Sequence, residues 1–381
     1  MNTLVVNAGG ATLKVIAVDA DGAEVAAEDV DPWDGESGDA IARVAESAAP
    51  IVAVGHRVVH GGSHLGAPRV FTEALDRVLL ELAPLAPLHQ ERAVAAARVA
   101  REILPHAAHV ACFDTWFHRT IGAAASTYAL PEEWRDRWAL QRFGFHGWSH
   151  ANVARRVRMV LQRRRPVDRI ISCHLGSGAS LCAIHRGRSV DTTMGLTPSE
   201  GLVMATRAGS VDPGLVLWLI NEAGIDPQAV DEGLRLHGGL AGLSGTSGDM
   251  REVLVGVERG DRRCRHALDV YLHRLRREIG AMAAALGGVD VVAFTGGVGV
   301  HLPVVRALAC GGLGHLGVAI DPDRNAATIG DGEVSAPWAD SATVVVATGE
   351  HHEIARATRE FLGRSSPTKA RGARADVAER A

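Results

Sequence analysis

Leu4-Val-Val-Asn-Ala-Gly-Gly-Ala-Thr-Leu-Lys-Val-Ile-Ala-Val18 reads as an apolar strand, a tight glycine turn and a returning strand, with Asp21-Gly22 as the next turn. The same design recurs at Ile170-Ile-Ser-Cys-His-Leu-Gly-Ser-Gly-Ala-Ser-Leu-Cys-Ala-Ile184, followed by Arg186-Gly187. Two hairpins of one kind about half a chain apart imply an internally duplicated architecture. Strands and helices alternate after each. Ile51–Val59 and Ala108–Phe113 read as strands, Ala74–Leu85 and Gln90–Ile103 as helices. Further on, Pro213–Ala223, Asp249–Val257 and Asp261–Leu286 read as helices, Val289–Phe294 and Thr343–Ala347 as strands. The expected fold class is α/β, in two lobes around a central cleft.

The bulk properties narrow the chemistry. In 381 residues, 47% are apolar but only 4% aromatic, which favours aliphatic sheet-and-helix packing over an aromatic nucleic-acid platform. A net charge of −4 with both signs interspersed argues against nucleic acid or an anionic membrane as a partner. The five cysteines contain no CxxC pair and are expected to be buried free thiols. With no signal peptide or membrane span expected, a cytoplasmic enzyme is the reading. Of 40 basic residues only Lys14 and Lys369 are lysine, which singles out Lys14 within the folded body.

Several segments suggest chemistry. The glycine turns let backbone N–H groups approach an anion, with Asn7, Thr12, Ser177 and Ser180 as added donors. No GxxxxGK[ST] loop occurs, which excludes a P-loop ATPase. Gly55-His-Arg-Val-Val-His-Gly-Gly62 ends an apolar strand and offers Arg57 as an anion clamp. Asp114 follows a strand's carboxyl end, a position suited to Mg²⁺ or to a helix cap. Glu350 follows Thr343–Ala347 in the same way. Arg142-Phe-Gly-Phe-His-Gly-Trp-Ser-His150 places His146 stiffly in a shaped site, with His150 expected to cap a helix starting near Ser149. Arg207 lies in a loop ahead of a helix started by Asp212-Pro213, a second candidate clamp. Phe294-Thr-Gly-Gly-Val-Gly299 reads as a nucleoside or phosphate turn between a strand and a helix.

Taken together, these segments resemble the acetate kinases, members of the acetate and sugar kinase, heat-shock chaperone and actin superfamily, from about residue 3 to residue 362. The family's NAGSSSLK appears as Asn7-Ala-Gly-Gly-Ala-Thr-Leu-Lys14; GHRVVHGG stands intact at 55–62 and LAPLH at Leu85–His89. FDTAFH appears as Phe113–His118, GFHGTSH as Gly144–His150, CHLGNGSS as Cys173–Ser180 and FTAGIGEN as Phe294–His301. The resemblance implies a duplicated ribonuclease H-like (actin-like ATPase) fold. Its N-terminal lobe would be 1–117 plus 352–364 and its C-terminal lobe 118–351, the latter dimerising, followed by a disordered tail at 365–381.

The implied activity is Mg²⁺-dependent (Mn²⁺ in its place), reversible phosphoryl transfer between ATP and acetate. Propionate or another short carboxylate is the alternative substrate, and a catalytically impaired nucleotide-binding member of the superfold the alternative class. By resemblance, Arg57 and Arg207 grip the carboxylate and phosphoryl groups, and His146 donates to the transferring phosphoryl. Asp114 and Glu350, with Asn7, organise Mg²⁺. Val59, Leu88, Phe145 and Pro198 form the apolar pocket for the substrate methyl. Asn7, Thr12 and Lys14, His174 and the Gly176-Ser177-Gly178 turn hold phosphates, while Asp249, Met250, Arg251, Gly297, Val298 and Gly299 surround the nucleoside. Four departures fall on the nucleotide side: Gly10 and Ala11 for two hydroxyls, Ser177 for an asparagine, Met250 for a phenylalanine and Val300-His301 for Glu-Asn. They raise the possibility of another phosphoryl donor, pyrophosphate included.

Overall fold

The computed structural model of the protein describes residues 2–10, 12–87, 89–162 and 165–365. Leu88, and the expected tail from residue 366 on with Lys369, lie outside them. The chain divides into two compact units, Met1–Trp116 with Gly349–Ala381, and Phe117–Thr348.

The first unit is built on β1 (Asn2–Ala8), β2 (Leu13–Val18), β3 (Glu24–Val30), β4 (Ile51–Val58), β5 (Arg69–Val70) and β6 (Ala108–Phe113), in the order β3-β2-β1-β4-β6-β5. The opening stretch is the predicted hairpin: β1 and β2 pair antiparallel from Thr3↔Val18 to Ala8↔Leu13, and the Gly9 amide closes the turn on the Thr12 carbonyl at 2.7 Å. β4 and β6 continue the sheet in parallel, so their carboxyl ends lie beside that of β1. Leu4, Val6, Leu13, Val15 and Val54 pack with Ile41 and Val44 of the helix Asp39–Ser47 and with Ala96 and Ala100 of the helix Gln90–Ile103.

The helix Glu350–Ser365 returns from the far end of the chain to lie on β1 and β4. Gly55 permits that approach, since a Cβ there would meet Thr358 Oγ1 at 2.5 Å and Ile354 Cγ2 at 2.8 Å.

The second unit repeats the scheme. β7 (Arg169–Leu175), β8 (Ala179–His185), β9 (Arg188–Thr192), β10 (Val291–Thr295), β11 (Gly332–Glu333) and β12 (Ala342–Val345) form a sheet of order β9-β8-β7-β10-β12-β11. An antiparallel three-strand meander, two parallel strands and a short antiparallel edge strand thus occur twice in the same order. One face takes Val153, Val157 and Leu161, at and just after the helix Gly147–Val160. The 25-residue helix Arg262–Leu286 packs beside β7 to β9 and buries Leu268, Tyr271, Leu272, Leu275 and Ile279, the spacing of one helical face. All five cysteines are buried free thiols. Among the described residues no helix is long and apolar enough to cross a membrane.

Local readings need correction in four places. The helix expected over Ala74–Leu85 stops at Glu81, and a 3₁₀ turn, Ala83–Leu85, follows around Pro84, which has no N–H to continue the ladder. The helix containing His150 starts at Gly147, with His146 at its N-cap, so His150 caps nothing. The glycine stretch after β10 is not an open turn but a helix, Gly296–His301. Glu350 opens the helix Glu350–Ser365 instead of ending a strand.

Candidate functional site

In the first unit the side chains at the carboxyl ends of β1, β4 and β6 are drawn together by one guanidinium. Arg57 donates from Nε to Asp114 Oδ1 (2.9 Å), from Nη2 to Asp114 Oδ2 (2.5 Å) and from Nη1 to Asn7 Oδ1 (3.1 Å). Glu350 Oε2 stands 3.8 Å from Nε. The fork geometry of Arg meeting a carboxylate fixes both side chains at once. Asp114 therefore serves as the counter-charge of Arg57.

Burial works against charge on both partners. It pushes the Asp114 carboxyl up to about 6, only partly offset by Arg57 and reinforced by Glu350. Burial opposes the Arg57 charge as well, but Asp114 and Glu350 more than compensate and its pKa is raised.

Asn7, Asp114 and Glu350 form an all-oxygen donor set of the kind Mg²⁺ prefers. Val59, just past the end of β4, is buried. Lys14, by contrast, lies on the exposed side of β2 with Nζ 2.5 Å from Asp29. Its ammonium is engaged there and not by the turn it follows.

In the second unit the corresponding strand ends carry a different arrangement. Arg207 is held by one hydrogen bond, from Nη1 to the Pro198 carbonyl at 2.6 Å, and no carboxylate pairs with it among the described residues. Desolvation alone accordingly brings its pKa down to about 10.

A Cβ at Gly178 would stand 2.7 Å from Arg207 Nη2 and 3.3 Å from His146 Nε2, so both groups converge on the bare backbone of the second glycine turn. His146 adopts a left-handed conformation (φ 55°), uncommon for a residue with a Cβ. Its Nδ1 meets Ser180 Oγ at 2.9 Å, and its ring stacks on that of His174 with centroids 4.1 Å apart. His174 Nδ1 in turn meets Ser149 Oγ at 2.8 Å.

His150 is buried beneath, its two ring nitrogens 2.8 and 2.9 Å from Ser172 and Ser180. Phe145 is buried, and its carbonyl accepts from His118 Nε2 at 2.9 Å.

Beside this cluster opens a cavity of about 550 Å³. Gly176 and Ser177 line one end; Asp249, Met250 and Arg251, at the start of the helix Met250–Glu258, and Gly297 and Val298 line its walls. Asp249 caps that helix and also holds Arg251 in an exposed ion pair. His174, Gly178 and Gly299 lie outside the lining.

Seven lining residues were not among the expected site residues: Ala205, Leu240, Ser247, Gly248, Tyr271, His301 and Leu302. Tyr271 belongs to an amphipathic helix and signals only core; His301 was visible as a departure from the family pattern. Arg306 was missed as well. Fully buried, it donates from Nη1 to the Gly299 and Val300 carbonyls (2.9 and 2.7 Å) and from Nε and Nη2 to Asn325. It thereby satisfies the C-terminal carbonyls of the helix that walls the cavity.

A twice-repeated sheet of this order, with a glycine hairpin opening each copy, defines an α/β protein of the duplicated actin-like ATPase fold. The sequence profile described as the Acetokinase family matches residues 39–356, and the chain belongs to that family. It is thus a phosphotransferase acting on a carboxyl group. It is 43% identical to the acetate kinase of Synechococcus sp. over 87% of this chain and 80% of that protein, and 47% identical to that of Leifsonia xyli over 81% and 77%. Among solved structures it is similar to Porphyromonas gingivalis acetate kinase, with TM-score 0.85, 32% identity and 95% and 99% of the two chains covered. A propionate kinase from Francisella tularensis superposes with TM-score 0.86 at 27% identity, covering 94% and 99%.

Arg306→Met should lower the unfolding free energy by about 2–4 kcal/mol, because buried helix-end carbonyls lose their donors. Urea denaturation measures it, and an unchanged midpoint would contradict the support role.

Proposed function

We propose that the chain catalyses Mg²⁺-dependent, reversible transfer of the terminal phosphoryl group of ATP to acetate, giving ADP and acetyl phosphate. The observation that carries this reading is Arg207: a half-buried guanidinium with no counter-carboxylate among the described residues, converging with His146 on a glycine turn. Such a charge is costly until an anion arrives, and a phosphoryl group in flight is an anion of the right geometry.

A carboxylic acid with a pKa of about 4–5 is ionised at neutral pH, so no general base is needed. Its oxygen forms the new P–O bond as the bond to ADP breaks, and no proton moves. The obstacle is repulsion between two anions. Arg57 draws the carboxylate, while Arg207, His146 and the amides of the Gly176-Ser177-Gly178 turn stabilise charge on the phosphoryl oxygens. Mg²⁺ held by Asp114, Glu350 and Asn7 would offset phosphate charge.

The cavity favours a nucleotide over pyrophosphate as donor. Its volume falls within the roughly 300–1,000 Å³ of small-ligand sites, and Met250, Val298, Leu240 and Leu302 give it apolar walls for a base. The family resemblance assigns Val59, Phe145 and Pro198 to the acid's methyl. One methylene discriminates by only about 1–3 kcal/mol, so propionate should be a poorer second substrate. Buried free thiols suit a reducing compartment, hence the cytoplasm.

The working unit is a homodimer. The helix Pro213–Asn221 has no fully buried residue, yet carries Leu215, Val216, Leu217, Trp218, Leu219 and Ile220 in succession, with Leu217 and Trp218 each more than half exposed. A helix apolar all round needs a partner, and a second copy supplies one.

Arg207→Ala or Arg57→Ala should cost about 10²–10⁴ in turnover, read as acyl hydroxamate from acetate, ATP and Mg²⁺. Wild-type rates in both would remove the clamp assignment, and no acyl phosphate from acetate or propionate with any donor would remove the reaction. Because the Asp114 carboxyl is pushed up to about 6, its ionised form is present above that pH and lost below it. The free enzyme's kcat/KM should then fall as pH drops through 6, about tenfold per unit; a flat profile down to pH 5 would refute the requirement. Leu217→Glu should yield a monomer by light scattering, and an unaltered dimer would exclude this helix from the interface.

A further inference from the structure

Glu24, His351 and His352 bring together three metal-binding side chains, none of them among the groups assigned above, though His351 directly follows Glu350. Glu24 opens β3, the edge strand of the first sheet; the two histidines sit in the first turn of the helix Glu350–Ser365. His351 Nε2 is 2.7 Å, and His352 Nε2 3.7 Å, from the same oxygen, Glu24 Oε1. The two rings lie with centroids 4.0 Å apart and tilted by 54°. One ligand atom from each of the three residues falls within 4.8 Å of the others, and no other such trio of histidine, cysteine or carboxylate occurs among the described residues.

Successive helix residues point about 100° apart. Two adjacent imidazoles aimed at one carboxylate oxygen is therefore not what helix geometry produces by default. We infer that Glu24, His351 and His352 form a binding site for a first-row transition ion, Zn²⁺ being the best match.

Two imidazole nitrogens and one carboxylate oxygen are a borderline donor set that suits zinc and leaves a fourth position to water. Mg²⁺ prefers oxygen alone and is a poor competitor here. Donors on a tetrahedral zinc stand roughly 3.4 Å apart. The site thus has to contract by little more than an ångström at most, and Glu24, 46% exposed, has the freedom to close it. An ion there ties the edge strand to the start of the helix that carries Glu350.

The test uses the full chain stripped with chelator and titrated with Zn²⁺ against a chromophoric competitor, beside Glu24→Gln and His352→Asn. The expected result is one equivalent bound by the wild type and at least tenfold weaker binding in each variant, with Zn²⁺ raising Tm only in the wild type. Replacement by Co²⁺ should give the intense visible absorption of a tetrahedral site. Far-UV circular dichroism of the stripped proteins confirms that the variants fold; Glu24 is exposed and His352 half-buried. No zinc bound, or an equivalent whose affinity is the same in all three proteins, overturns the assignment. These readouts are independent of phosphoryl transfer, so their failure leaves the kinase reading untouched.

Discussion

Positive charge in this protein is handled in two opposite ways, one in each unit, and the strand ends of each unit are arranged around it. Arg57 is satisfied in advance: Asp114 grips two of its nitrogens, Asn7 a third, and Glu350 stands near. Arg207 is left, among the described residues, with a backbone carbonyl only. The first arrangement fixes a guanidinium in place and holds carboxylate oxygens around it; the second keeps an unmet electrostatic demand beside His146 and Gly178. A preorganised donor that needs no rearrangement when charge develops is what phosphoryl transfer asks of a protein.

The repeated sheet explains how each arrangement is held. In both units the first strand of the meander lies beside parallel neighbours, so its turn and the neighbouring strand ends share one edge. Asn7, Arg57 and Asp114 come from three such ends in one unit. In the other, Gly176–Gly178 and the helix Gly296–His301 follow adjacent strands β7 and β10. The buried histidines below the second turn rest on serines of β7, β8 and the helix Gly147–Val160, which makes the turn's shape a property of the core.

Much of this was legible in the sequence because period and punctuation agree. Both hairpins, the helix Gln90–Ile103 and the strand Ala108–Phe113 were read with their bounds or close to them, as alternation and glycine turns signal them directly. His150 was misread because a Ser-His pair after glycine resembles a helix start, whereas its burial between Ser172 and Ser180 is a tertiary matter. Gly296–His301 was taken for a turn on composition; neighbouring strands and Arg306 hold it helical in spite of its glycines. Lys14 stood out only by rarity, and the pairing with Asp29 is written in strand register, not in local pattern. Nothing in sequence separates Arg306 from a solvated helix arginine; its partners lie in a carbonyl row and in Asn325.

The helix Glu350–Ser365 completes a sheet whose strands all lie before residue 117. Made in order on the ribosome, the chain exposes the β1–β4 surface at Gly55 throughout the synthesis of some two hundred residues. The second unit has its full complement of elements sooner. The part begun first is finished last, and its apolar flank has to be shielded in the nascent chain until the final segment emerges.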